Sequence, residues 1–382
     1  MIKKFQDWAK KNKVELLVLC LVIAVSIFLR LYRISDYMTF LGDEGRDAIV
    51  VKGILVNHHL HLLGPPTSIG NMYLGPLYYY MMAVAMAVSW LNPVAAAVMV
   101  AFVGTAAVVF IYYLSREWFG RVSAVIGSLL YSLSPVNLFY SRSSWNPNPA
   151  PFFALLSIFG FYKARKSGNY LWLILSGGGL AFALQMHYLA LILLPIFSIL
   201  WLYELVCAKR QGKKLKNFLP GTILAIVAFL FLMSPLAIFD IHHNYMNLRA
   251  ISTFFGDRQT TVNLNLFNTL SRVVPIYGYN LVGRYMVGEN PILMWLVSVL
   301  VLVPVFRFVY LWFKKKVFSW PLFVLSAWLV IGVIGLSLYK QTLFDHYLGF
   351  LNPAPYLLLG AVFDEKILSK FKVQRKGFYL EQ

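Results

Sequence analysis

The sequence predicts an all-α, polytopic integral membrane protein with about ten transmembrane helices. Three observations carry that expectation. Of the 382 residues, 59% are hydrophobic and only 13% charged, about half the charge that a soluble domain carries on its surface. The apolar residues come in blocks of about 17–23, each long enough to cross a hydrocarbon core of about 30 Å as a helix. The alternation in units of about ten that marks a transmembrane β-barrel is absent. The same composition excludes disorder and a secreted disulfide scaffold. Cys20 and Cys207 fall in different blocks, so there is neither a disulfide framework nor a thiolate metal site.

In chain order the blocks lie near 14–31, 73–91, 94–114, 122–140, 150–163, 170–186, 188–206, 218–239, 291–312, 318–338 and 347–363. The first follows Lys3, Lys4, Lys10, Lys11 and Lys13 and lacks a cleavage site, which reads as a retained anchor. If every block crossed, the clusters at Lys163–Lys166, Lys209–Lys216 and Lys314–Lys316 would face outward, against the positive-inside rule. With 73–91 lying in or re-entering the outer leaflet, all of them fall inside. The inner side then holds 24 of the 34 Lys and Arg against 7 acids, a charge of +17, and the outer side 10 against 8, a charge of +2. That asymmetry explains the net charge of +19 as an orientation signal and excludes nucleic acid as the partner. Gly75-Pro76 beside Tyr78-Tyr79-Tyr80 suits an interfacial helix.

The expected architecture is one membrane-embedded module over residues 1–382, with both termini cytoplasmic and no separate soluble domain. Residues 32–93 form a first outer loop with juxtamembrane helices, and residues 240–290 a second. Ser141–Pro149 and Tyr339–His346 are shorter outer segments. The inner loops are short and basic, so chemistry belongs to the outer, periplasmic side. Just beyond the first span stands Leu41-Gly42-Asp43-Glu44-Gly45-Arg46-Asp47. Three carboxylates within five residues beside a membrane are costly unless solvated, paired or coordinating. Two readings stay open: a polar turn in which Asp43 caps the helix that follows and Arg46 pairs locally, or a reacting centre.

This arrangement, a first span, an Asp-Glu pair opening a long outer loop, then Gly75-Pro76-Leu77-Tyr78-Tyr79-Tyr80, resembles the C-type membrane glycosyltransferases. Within them it is similar to the branch of protein O-mannosyltransferases (dolichyl-phosphate-mannose-protein mannosyltransferase-like) and lipid A aminoarabinose transferases. Trp118-Phe119-Gly120-Arg121 resembles a cytoplasmic turn of that family, and Ser134-Pro135 the end of the span it begins. Ser141-Arg142-Ser143-Ser144-Trp145-Asn146-Pro147-Asn148-Pro149 resembles its second outer loop. Gln185-Met186-His187-Tyr188, then an apolar run with Pro195, resembles its middle spans, and His346-Tyr347 followed by Pro353 and Pro355 resembles the segment that faces the lipid phosphate.

The resemblance implies an inverting transfer of a sugar from a polyprenyl-phosphate donor to an acceptor hydroxyl on a glycan, lipid or protein at the outer face of a prokaryotic cell membrane. Asp43 matches the aspartate that acts as base or orienting carboxylate, with Glu44 supporting the loop or a cation. Arg46, His187, Lys340, His346, Tyr347 and Arg258 are the expected donor-phosphate set, because Arg and other donors make charge-assisted contacts with phosphate. Asp47, Tyr73, Trp145 and Asn146 are the expected acceptor and sugar pocket. The chain departs from the family pattern in lacking an acid between Ser68 and Gly75 and in having Asn146 and Asn148 where many relatives carry Asp. Fewer hard oxygen anions weaken the expectation of a divalent cation, the one cofactor in question. Two rival readings remain: a flippase or transporter of a lipid-linked sugar, whose repeated halves are not evident, and a catalytically inactive membrane subunit. His58, His59 and His61, and His242-His243, read as interfacial. Trp295, Trp312, Trp320 and Trp328 read as belt and packing. Gly177-Gly178-Gly179 reads as a site of close helix packing.

Overall fold

The computed structural model describes residue 7 and residues 9–69, 72–210, 215–256, 261–263 and 265–365. Among them the regular structure is helical, apart from isolated bridges between Pro66 and Tyr73 and between Val262 and Tyr339. The helices are α1 (Lys13–Leu31), α2 (Gly42–Asn57), α3 (Leu77–Ala87), α4 (Val94–Phe119), α5 (Arg121–Leu133), α6 (Ala150–Ser167) and α7 (Leu173–Met186). They continue as α8 (Leu193–Arg210), α9 (Leu215–His242), α10 (Met246–Gly256), α11 (Leu266–Pro275), α12 (Pro291–Phe313), α13 (Trp320–Ser337) and α14 (Pro353–Val362). Six helices among the described residues are long and apolar enough to cross a membrane: α1, α4, α8 with the turn before it, α9, α12 and α13. The remaining expected spans correspond to α5, α7 and α14, which are shorter, and α6, which carries Lys163, Arg165 and Lys166 near its end. The chain is a multi-pass membrane protein.

Block 73–91 yields only the 11-residue α3, about 16 Å long at the helical rise and about half the thickness of a hydrocarbon core. Its Tyr78, Tyr79, Met82 and Met86 are buried, and it packs on α2 and α4. Contacts sort the loops to two ends of the bundle. At one end Arg142 Nη2 donates to the Tyr32 carbonyl at 2.7 Å, Ser143 reaches the Thr39 carbonyl, and the Ser68 hydroxyl meets those of Tyr188 and Tyr347. At the other end Arg116 and Arg121 pair with Glu15, Arg165 with Glu204, Lys166 with Glu117 and Arg307 with Asp364. Residues 32–69 and 141–149 thus share an end although α3, α4 and α5 lie between them. An even number of passages separates them, α4 and α5, and α3 turns back.

Small residues set the helix spacing. A Cβ at Gly177 would overlap the Ala225 carbonyl of α9, and one at Gly179 would overlap Ser157 of α6, the close approach that glycine allows between membrane helices. Gly120 joins α4 to α5 at φ +105°, a conformation that L side chains rarely adopt. The tryptophans divide: Trp328 is fully buried and donates to the Phe350 carbonyl at 3.0 Å, and Trp320 is buried, whereas Trp295 and Trp312 are half-exposed.

Candidate active site

The acidic motif opens α2. Leu41 is its N-cap, and Glu44, three residues on, bends back to accept from the Leu41 N–H at 3.0 Å. The other Glu44 oxygen accepts from Ser143 Oγ at 3.2 Å. Buried at 4% exposure, Glu44 therefore caps the helix and ties it to the 141–149 loop. Capping does not fall to Asp43. The Asp43 side chain is half-exposed and pairs with Arg46 Nη1 at 2.8 Å. Arg46 also holds Asp47 at 2.7 Å, so one guanidinium serves two carboxylates.

Asp47 is fully buried, accepts from the Tyr79 hydroxyl at 3.3 Å, and keeps one oxygen without a partner. Burial pushes its carboxyl up to about 6, against the pull of Arg46. Burial draws the Arg46 guanidinium down, but Asp47, followed by Tyr79 and Asp43, outweighs it and holds the group above its usual value.

Asp43 and Arg46 line a cavity of about 300 Å³, together with Ser68, Trp145, Asn146, His187, Tyr188, His346 and Tyr347. Several wall residues are held from behind. Asn146 Nδ2 donates to the Met186 carbonyl at 2.7 Å. His187 Nδ1 accepts from the Leu189 N–H at 3.2 Å, which leaves Nε2 to carry the proton of the neutral ring. His346 packs against Trp145 at 4.3 Å between ring centroids, and His187 lies 5.6 Å from His346 and 4.6 Å from Tyr347. The turn Asp345–Leu348 that presents His346 and Tyr347 is anchored by Arg284, whose Nε and Nη2 grip the two Asp345 oxygens at 2.7 and 2.8 Å. Tyr285 donates to the Asp345 carbonyl at 2.7 Å.

Burial lowers His187 well below the usual imidazole value, with His346 adding to the effect. Burial likewise lowers His346 to about 4, partly opposed by Asp43. Near neutral pH both rings are neutral donors and not cations. The consequence for stability has a definite sign. Below about 6.5 the unfolded chain protonates histidines that the fold keeps neutral, so these two groups lower stability as pH falls from about 6.5 to about 4. Asp47 acts oppositely, since its raised value makes the fold take up a proton before the unfolded chain does. We expect the acid fall in melting temperature over that window to be shallower in His346→Asn than in the wild type. A melting series in pH steps checks it, and identical slopes would remove the role of His346.

Of the residues expected from the sequence, Asp43, Arg46, Trp145, Asn146, His187, His346 and Tyr347 come together on this wall. Glu44 and Asp47 sit behind it. Tyr73 lies instead on an adjoining apolar groove of about 510 Å³, its N–H donating to Asn247 at 2.6 Å. Lys340 lines neither space, and its backbone N–H donates to the Thr261 carbonyl. Arg258 lies outside the described residues. Among the described residues no group of three His, Cys, Asp or Glu side chains forms a donor set for a metal ion.

The groove runs between α7, the turn before α8, α9, α10 and α13, and is walled by Leu189, Ile192, Leu236, Phe254, Ile334 and Leu338 among others. Leu74 and Tyr188 line both the groove and the polar cavity. Sequence reasoning missed three supports: Ser68, the Arg284–Asp345 pair, and the Gln185 side chain. Gln185 accepts from the Leu77 N–H and donates to the Leu232 carbonyl at 2.8 Å, and a Cβ at Gly75 would overlap its amide. The spacing of Gly75 and Gln185 to their motifs was visible, but their pairing was not.

The fold is that of the C-type membrane glycosyltransferases, and the chain resembles the O-mannosyltransferase and aminoarabinose-transferase branch. Residues 74–239 match the family model of dolichyl-phosphate-mannose-protein mannosyltransferases. Among solved structures the chain is similar to ArnT from Cupriavidus metallidurans bound to undecaprenyl phosphate, at 15% identity and a TM-score of 0.57, over 93% of this chain and 60% of that one. It is also similar to the archaeal oligosaccharyltransferase AglB from Archaeoglobus fulgidus in complex with an inhibitory peptide and a dolichol-phosphate, at 15% identity and a TM-score of 0.59, over 97% of this chain and 52% of that one. The apo form of the Archaeoglobus fulgidus enzyme gives a TM-score of 0.61 at 16% identity, over 96% of this chain and 52% of that one. The chain thus spans between half and three-fifths of the length of the structures it matches. No curated protein matches the sequence.

Proposed function

We propose that the chain is an inverting glycosyltransferase that moves a sugar from a polyprenyl-phosphate donor to an acceptor hydroxyl at the outer face of the membrane. One observation carries the reading: a polar cavity with a paired carboxylate adjoins an apolar groove, the two sharing Leu74 and Tyr188 as walls. A lipid-linked sugar needs this combination, because its head reacts in a polar site while its tail stays in apolar surroundings. The ArnT and AglB structures hold such lipid phosphates, which supports the same donor class here. Asp43 deprotonates or orients the acceptor hydroxyl, and Arg46 sets its position. Neutral His187 and His346, with Tyr347, donate to the leaving phosphate as charge builds on it. Trp145 and Asn146 flank the sugar. The acceptor is a glycan, lipid or protein.

The decisive experiment incubates purified protein with a panel of polyprenyl-phosphate hexoses and pentoses and detects released polyprenyl phosphate. Release that depends on one donor supports the proposal, and binding of every donor without release overturns it. Sidedness is tested separately. Cysteines placed at the exposed Asn57 and Ser271 are expected to react with an impermeant reagent in intact cells, and one at Ser167 only after permeabilisation. The calculated charge asymmetry motivates this, and labelling of Ser167→Cys in intact cells would reverse the orientation.

A further inference from the structure

Arg30, in the last turn of α1, is completely buried. Its Nη1 donates to Ser26 Oγ at 2.8 Å and to the Ser26 carbonyl at 3.3 Å, whereas Nε and Nη2 have no partner. It takes part in none of the ion pairs among the described residues. A guanidinium taken out of water without a counter-charge is costly, and the dipole at a helix C-terminus offsets only part of that cost.

Arg30 lines a small cavity of about 20 Å³ with Tyr131, Asn148, Asn352 and His346, room for about one water. Asn148 Oδ1 and Asn352 Oδ1 are also without partners. Unpaired acceptors beside unpaired donors suit a water, which serves both, and repel a resident anion. The counter-charge must come from elsewhere. His346 and Pro147 line this cavity and the candidate active site alike, so the guanidinium sits behind the phosphate end of the site. There the remaining guanidinium, Arg46, is divided between Asp43 and Asp47, with the Glu44 carboxylate buried close by. Among the described residues that line the cavity, Arg46 is the one fixed cation and it is already shared between two carboxylates, so a lipid phosphate entering it needs a positive charge from behind the wall.

We infer that the donor phosphate is the counter-ion of Arg30, which makes Arg30 a positioning residue acting through the His346 wall. The inference rests on the proposed lipid-phosphate donor. Attraction across one side chain in a partly polar interior amounts to about a tenfold change in affinity.

The test measures binding of a polyprenyl phosphate and of the same polyprenol without its phosphate, and takes the ratio of affinities. Arg30→Gln is expected to reduce the preference for the phosphate about tenfold, and Arg30→Lys to retain most of it. Asn352→Asp keeps the side-chain volume and gives Arg30 a carboxylate inside its own cavity. It should reduce the preference as Arg30→Gln does; because it also gives up the bond from Asn352 Nδ2 to Asn137 Oδ1 at 3.1 Å, its readout is the ratio of affinities and not the melting temperature. An unchanged ratio in folded Arg30→Gln or in Asn352→Asp overturns the inference. So does a lower melting temperature in both Arg30 variants with the ratio intact, which marks a packing role alone. A wild type that binds both lipids equally, or neither, fails the donor reading itself, a result distinct from any change between variants.

Discussion

Asp43→Asn is expected to lower turnover by about 10²–10⁴-fold, the usual contribution of a general base, while donor binding survives. Asparagine keeps the volume and much of the hydrogen bonding to Arg46 but removes the base and its charge. The geometry makes this substitution a clean one. The helix start depends on Glu44, which accepts from the Leu41 N–H and from Ser143, so Asp43→Asn does not fray α2. Glu44→Gln should show the reverse pattern: a smaller loss of turnover and a loss of stability of about 1–3 kcal/mol, the cost of disturbing buried hydrogen bonds to a charged group. Single-turnover release of polyprenyl phosphate, a donor titration and a melting curve on both variants separate the two. Normal turnover in Asp43→Asn would end its assignment as base, and a larger turnover loss in Glu44→Gln would exchange the roles.

Much of the fold was legible because a bilayer constrains a chain harshly. Length, apolarity and the placement of Lys and Arg predict the helices, and the charge rule alone singles out 73–91 as the block expected not to cross. In the structure this block yields the 11-residue α3 with Tyr78 and Tyr79 buried, and the segments before it and after α5 meet at one end of the bundle. The start of the helix in the acidic motif was less legible. A single capping aspartate is a common pattern, yet here the glutamate three residues past the cap does that work. Local signals cannot distinguish the two when the deciding partner, Ser143, lies 99 residues away.

The candidate site divides in the same way. Residues inside motifs, such as Trp145, His187 and His346, converge because each motif ends a helix at the same end of the bundle. Their supports do not announce themselves, since Arg284 and Asp345 are 61 residues apart and Gln185 and Leu77 are 108 apart. Arg30 was hidden for another reason. In the sequence it is one basic residue at the end of a span, where a side chain commonly snorkels to water. In the structure the guanidinium instead lies inside, donating to Ser26 and packed on Gly104, where an added Cβ would come within 3.1 Å of its Nε.

Leu338→Trp is expected to reduce kcat/KM for long-chain donors about tenfold or more. Leu338 walls the apolar groove next to Tyr339, whose hydroxyl lies 2.9 Å from that of Tyr188, a residue shared with the polar cavity. Its backbone carbonyl, which accepts from Asn263 at 2.7 Å, is untouched by the change. An indole there narrows the groove that a long tail must follow, and overpacking of this kind costs about 1–3 kcal/mol, where 1.4 is tenfold. Hydrophobic transfer is not the driving force, because a tail leaving the bilayer for the groove exchanges one apolar setting for another. What the groove supplies is position, holding the head against Asp43. A donor with a tail of two isoprene units, too short to follow the groove, should therefore be spared. Equal losses for long and short donors would mean that the indole distorts the polar cavity. No loss for the long donor would place the tail elsewhere, and the second apolar groove of about 570 Å³ between α6, α7, α8 and α9 is the alternative path that Leu180→Trp would then close.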